Sequence, residues 1–155
     1  MNFIIVLVVI IIDVVSKVLV TNNLVLNKSI TIIPNFFYLT YAHNYGGAWS
    51  IFENNTLIIT IISFIVILGI SYYIFKNRVT KKIEIIGYSL LLGGAIGNLI
   101  DRVISGYVID FLDFYIFGYD FPIFNIADIG IVIGIMLLLV SMILEVYKND
   151  NKCNW

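Results

Sequence analysis

Four runs of mainly apolar residues divide this chain: Asn2–Val20, Thr56–Phe75, Ile83–Ile104 and Ile126–Tyr147. Each has about the 20 residues that a helix needs to cross a bilayer. The first is broken by Asp13, Ser16 and Lys17. The pattern predicts an all-α membrane protein with four transmembrane helices, packed as a small antiparallel bundle in a single membrane domain covering residues 1–155. No linker, internal repeat or low-complexity tract stands out. The first run has no basic start and no small-residue cleavage site after it, so it is expected to be kept rather than removed as a signal peptide.

Between the first two runs lie roughly 35 residues, too many for a passive connection. Within them Ser29-Ile-Thr-Ile-Ile33 and Phe36-Phe-Tyr-Leu-Thr-Tyr41 are rich in β-branched and aromatic residues and flank Pro34-Asn35. That composition predicts two short strands joined by a turn, a small extracytoplasmic β-sheet or cradle in the first outer loop. Lys76, Arg78, Lys81 and Lys82 crowd the connection between the second and third runs, and Lys148 and Lys152 the C-terminal tail. Basic short loops stay in the cytoplasm. Both termini are therefore expected there, with the loops near 21–55 and 105–125 on the outer face.

Composition narrows the classes. The chain is 61% hydrophobic and 12% charged, with a mean hydropathy of +1.02, against about 45–50% and 25% in soluble domains. There is no basic stripe for nucleic acid. One histidine, His43, and one cysteine, Cys153, argue against a metal site, which normally takes two or more such ligands. No cofactor motif is present.

The outer half of the chain concentrates acids. Asp101, Asp110, Asp113, Asp120 and Asp128 fall between two strongly apolar segments, where carboxylates are costly to place and tend to mark a site. Asn125-Ile-Ala-Asp128 has the form of a helix start, with Asn at the cap and Asp three residues on. Asp128 is then in the first turn of the fourth helix, and Asp110 in the loop before it. Side by side, two such carboxylates cannot both ionise readily and share one proton. One then activates water while the other donates to a carbonyl, the arrangement of aspartic peptidases. It needs no metal and no nucleophilic side chain, and no Gly-x-Ser-x-Gly, His-Glu-x-x-His or phosphate-loop motif competes with it.

Other constellations stay open between structure and chemistry. Asp13 and Lys17, four apart, share a helix face; they pair to hold the first helix to the bundle, or steady the site. Arg102, four residues after Asn98, snorkels to head groups or clamps an anionic group. Gly93, Gly94, Ala95 and Gly97 form a small-residue patch for close helix packing. Asn44-Tyr-Gly-Gly-Ala-Trp49 is a turn with an interfacial tryptophan, or a loop in which Asn44 bonds a substrate backbone. His43 is read as a surface residue rather than a ligand.

Taken together, Asp13-x-x-x-Lys17, Asn44-x-Gly46-Gly-Ala-Trp49, Gly97-Asn-Leu-Ile-Asp-Arg102, Gly106-Tyr-Val-Ile-Asp-Phe111 and Phe121-Pro-Ile-Phe-Asn-Ile-Ala-Asp128 resemble the lipoprotein signal peptidases, the signal peptidase II family, along nearly the whole chain. Val14, Gly47 and Ile129 depart from common choices in that pattern, none of them at the acid pair. The resemblance implies a membrane aspartyl endopeptidase. Its substrate would be a prolipoprotein, cut just before a cysteine that carries a diacylglyceryl group. It implies Asp110 and Asp128 as the catalytic pair. Asp13, Lys17, Asn44, Gly46, Asn98, Asp101, Arg102 and Asn125 would support the site or contact substrate. It also implies a mobile flap over the site, inhibition by globomycin-like cyclic peptides, membrane lipid as surroundings, and action as a monomer. Two rival classes are weighed beside it: a small proton-coupled transporter or channel, and a non-catalytic scaffold whose acids only cap helices.

Overall fold

The computed structural model describes residues 2–46 and 55–153. Helix α1 spans Phe3–Asn23, α2 Thr56–Asn77, α3 Lys82–Ser105 and α4 Ile126–Cys153. All four are long and apolar enough to cross a membrane, as expected. Their outward residues are apolar and bare, among them Leu7 and Ile11 on α1, Phe64 and Leu68 on α2 and Ile143 on α4. In a soluble protein such surfaces would be sticky; in lipid they are solvated. The observed ends run a few residues beyond the apolar windows, because hydropathy measures the lipid-facing length and not the hydrogen-bonded helix.

Helix α3 is the hub, packing against α1, α2 and α4, most extensively against α4. Lipid tails are as apolar as leucine, so helices associate through close packing of small residues. Gly94 lies so near the α4 backbone that an added Cβ would collide with the Ala127 carbonyl. The small-residue patch is thus where α3 meets α4, at Gly94, and α1, at Gly93 and Gly97. Polar pairing closes the opposite end of the bundle: Lys81 reaches Glu84 at 3.1 Å and Glu145 at 2.9 Å, and Ser141 donates to Glu84 at 2.8 Å.

The sheet is larger than expected. Strands β1 (Ser29–Ile33) and β2 (Phe37–Asn44) come from the first long loop, and β3 (Val108–Ile116) and β4 (Tyr119–Asp120) from the second. They form one antiparallel order β1-β2-β3-β4. Asp110 is therefore not in a loop: it sits in β3, paired with Ala42 of β2. The backbone polar groups of the second connection have found partners in β2, as a segment lying near the lipid boundary requires. Residues paired directly across strands share a face. Leu39 with Leu112, and Phe37 with Phe114, line the face that also carries Asp110; Thr31, Tyr38 and Asp113 line the other. Phe37 and Phe114 stack at 4.5 Å, and Phe114 stacks on Phe124 at 5.7 Å.

Candidate active site

Asn125 opens α4 by a reciprocal cap. Its side-chain oxygen accepts from the Asp128 backbone N–H at 3.0 Å, and the Asp128 carboxylate accepts from the Asn125 N–H at 3.1 Å. This is the capping arrangement that the spacing suggested. It has a chemical result. With its oxygen committed to the cap, Asn125 can offer only its NH2 group inward, and that group donates to Asp110 Oδ1 at 2.6 Å. One fully buried asparagine thus ties both acids together.

Two further asparagines are oriented in the same manner. Asn44 accepts the Gly46 N–H at 2.9 Å through its oxygen, leaving its NH2 to donate to Asp110 Oδ2 at 2.9 Å. Asn98 accepts from the Lys17 ammonium at 3.1 Å, leaving its NH2 to donate to Asp128 Oδ1 at 2.8 Å. Each amide has its polarity set by a donor on one side, so that N–H groups face the carboxylates. Both oxygens of each acid accept a hydrogen bond. Among the described residues neither acid makes an ion pair.

A second cluster lies directly beneath. Lys17, 2% exposed, meets Asp13 at 2.7 Å and Asp101 at 2.8 Å. With Asn98 these partners use all three ammonium donors. The other Asp13 oxygen accepts from the Ala127 N–H at 2.9 Å, one of the amides that the first turn of α4 leaves unbonded. Gly97 makes room for it: a Cβ there would stand 2.7 Å from Asp13 Oδ2. Asp101 also accepts the Ile109 N–H at 3.1 Å, fixing β3 next to Asp110. Arg102 is turned toward the protein rather than outward, donating to the Gly46 carbonyl at 3.0 Å and more weakly to the Asn98 carbonyl at 3.4 Å. Its Nε is buried without a partner among the described residues.

All ten residues singled out in the sequence therefore belong to one connected network: Asp13, Lys17, Asn44, Gly46, Asn98, Asp101, Arg102, Asp110, Asn125 and Asp128. Asp113 and Asp120 do not join it. The first lies on the opposite face of the sheet, and the second is exposed on β4. His43 is less of a surface residue than expected; its ring stacks on Tyr107 at 3.6 Å and meets Tyr41 and Tyr45 edge-on. The reading of Gly47-Ala-Trp49 as a turn with a tryptophan anchor falls outside the described residues. Sequence spacing alone had no means of finding the backbone groups of Ile109 and Ala127, or the bond from Lys17 to Asp101.

The site's electrostatics follow from what it lacks. Asp110 is 3% exposed. Burial, and then the neighbouring charge of Asp128, raise its carboxyl from the ordinary range to about 7, against the opposing pull of the Asn44 and Asn125 donors. A carboxyl so placed can hold a proton at neutral pH while a neighbour is ionised, which is the condition for acid and base to work as a pair.

Residues 5–144 match the family described as signal peptidase (SPase) II. The chain belongs to the signal peptidase II family. Two solved structures described as a bacterial membrane enzyme, obtained by the in meso method, are similar to it. One is 37% identical with a TM-score of 0.87, over 93% of this chain and 88% of that one. The other is 38% identical with a TM-score of 0.82, over 90% of each chain. As a signal peptidase II, the chain is an aspartic endopeptidase of the bacterial membrane that removes signal peptides from prolipoproteins. Membership in a peptidase family leaves the transporter reading without support.

Proposed function

We propose that Asp110 and Asp128 are the catalytic pair and cut the prolipoprotein just before its diacylglyceryl-modified cysteine. The observation that carries this is a buried pair of acids linked through Asn125 and surrounded by amide donors instead of cations. A salt-bridged acid would stay ionised and inert; an amide-held pair keeps one proton in play. The ionised member takes a proton from water, the water oxygen attacks the scissile carbonyl, and the protonated member donates to the carbonyl oxygen. The proton taken from water then passes to the leaving amine as the C–N bond breaks, and a hydroxyl of the tetrahedral intermediate returns its proton to the other acid. Asn44, Asn98 and Asn125 hold the carboxylates in place. Asp13, Lys17 and Asp101 fix Asn98 and β3 from behind, and Gly46 with Arg102 positions the loop on the substrate side.

The same reading takes the chain as one membrane domain acting as a monomer. Its Lys-rich connection and tail face the cytoplasm, and its sheet and acid pair lie at the outer surface, where water meets lipid. The signal peptide approaches sideways through the bilayer beside α3 and α4, with its lipid tails left in the membrane. A flap over the site and blockade by globomycin-like peptides follow from the family resemblance. The direct test is a gel-shift assay on a purified lipidated prolipoprotein. Asp110→Asn and Asp128→Asn should each stop cleavage in a protein that still unfolds cooperatively. Full activity in either variant would refute the pair, and loss of wild-type cutting on adding a chelator would refute a metal-free route.

A further inference from the structure

The second buried acid of β3 is placed differently. Asp113 is 6% exposed, yet its Oδ1 has no hydrogen-bond partner among the described residues. Its other oxygen is taken by the Thr40 hydroxyl, which also bonds Ser29 at 2.7 Å. A buried acceptor left unmatched is destabilising, so it calls for a partner. Asp113 lines an open cleft of about 510 Å³ together with Ser29, Asn35, Tyr38, Tyr115 and Gly118. Tyr38 and Tyr115 meet edge to face above the strand at 5.3 Å.

The chemistry of this lining selects a cation. It supplies a carboxylate, hydroxyls and an amide, and no lysine or arginine. Aromatic rings favour a cation further. One carboxylate is too few for calcium, which takes six to eight oxygens. Because Thr40 holds Oδ2, a guanidinium would find one free oxygen where its fork matches two. A compact ammonium group needs only the one.

We propose that this cleft binds the ammonium group of a substrate lysine in the segment that follows the lipidated cysteine; this rests on the peptidase reading above. Asp113 lies three residues past Asp110 on β3, about 10 Å along the strand, on the opposite face of the sheet. An extended chain covers about 3.3 Å per residue. Rounding the sheet from Asp110 to Asp113 therefore takes about four to seven residues beyond the cut. The apolar face of the sheet carries Leu39, Leu112 and Phe114 and is the one suited to lipid. The Asp113 face is the opposite one, and its cleft is lined by hydroxyls, an amide and a carboxylate, which favours the released polypeptide over lipid tails. Because Asp113 Oδ1 is buried, the proposal requires Tyr115, 36% exposed and lining the same cleft, to turn aside.

The test uses the full chain in phosphatidylglycerol nanodiscs and fluorescent lipidated prolipoprotein peptides. Each peptide carries one lysine, or Nε-acetyl-lysine, at one of the fourth to seventh positions after the cysteine. At one position or more, acetylation should raise KM five- to twentyfold and weaken binding by anisotropy equally, with kcat unchanged. The gap should fall below twofold in Asp113→Asn and in Tyr115→Leu, the latter an exposed change that leaves the fold intact. Equal KM and binding for both peptides at every position would overturn the proposal. So would a dependence on added phosphatidylethanolamine, irrespective of lysine, that vanishes in Asp113→Asn; the cleft would then take a lipid amine. If neither peptide is cut, the peptidase reading fails, and the binding comparison still decides the cleft.

Discussion

Asp13 and Asp101 share an ammonium group, whereas Asp110 and Asp128 share only amides. The two clusters touch, through Asn98, whose oxygen faces Lys17 and whose NH2 faces Asp128. In the first, a cation with all its donors used sits between two carboxylates. Each carboxylate there meets the cation at short range, so the cluster serves as a rivet between α1 and α3. In the second, dipoles hold the acids in position without cancelling their charge. That leaves repulsion between them, a carboxyl at about 7, and a proton that can move. A site can thus be stiff and reactive at once if the stiffness is supplied by a salt-bridged neighbour.

The strongest way to break the contrast is to remove one member of each cluster. Asp110→Asn or Asp128→Asn should lower kcat by about 10³-fold or more, since both acid and base functions are lost together. Thermal unfolding in detergent should show only a modest loss of stability, because the new amide turns its NH2 toward one former donor while a like-charge repulsion goes with the carboxylate. A stability loss with no change in kcat would mean that these acids only cap and pin. Lys17→Met should do the reverse. Stripping the cation from two buried carboxylates should cost about 3–5 kcal/mol, read by denaturant unfolding, while kcat falls by a smaller factor than in the acid variants. If Lys17→Met proved as stable as the parent, the rivet would be no rivet.

Asn98→Ala sharpens the comparison because that residue belongs to both clusters. Losing it leaves one Lys17 proton and one Asp128 oxygen without a partner, about 1–3 kcal/mol of stability. Asp128 becomes free to turn, so kcat should fall about 10- to 100-fold with KM little altered. Asn98→Asp places a carboxylate oxygen where the amide N–H met Asp128, and should be worse in activity than alanine. Equal activity for the two would show that Asn98 merely fills space.

How much of this was readable beforehand depended on range. The four helices announced themselves because lipid imposes a 20-residue apolar run on each. Strands β1 and β2 showed through their β-branched and aromatic residues. Strand β3 did not: in Val108–Ile116 the acids stand three apart, Asp110 and Asp113, and Phe111 and Leu112 are adjacent, which breaks the alternation of a half-buried strand. Both faces of β3 bury residues, Phe111 and Asp113 on one and Asp110 on the other, so no polar side is left to mark a period of two. The cap at Asn125 was visible because it is local. The polarity of Asn98 was not, since the cation that sets it lies 81 positions away. The unmatched oxygen of Asp113 is equally invisible in sequence, where the residue looks like a second copy of Asp110.

The mildest of these tests follows the shared proton through stability rather than rate. An aspartate in the unfolded chain ionises near 3.9, while folded Asp110 keeps its proton to about 7. Between those values the folded protein binds more protons than the unfolded one. Stability must then fall as pH rises through that window, by no more than about 1.4 kcal/mol per pH unit for one proton, and level off above it. In Asp110→Asn the slope between pH 4 and 7 should therefore flatten, while Asp13 and Asp101 remain in place. Unfolding curves across that range, on the parent and the variant, read the difference directly. An unchanged slope in the variant would mean that the proton resides elsewhere, and that the two clusters are more alike than their partners make them look.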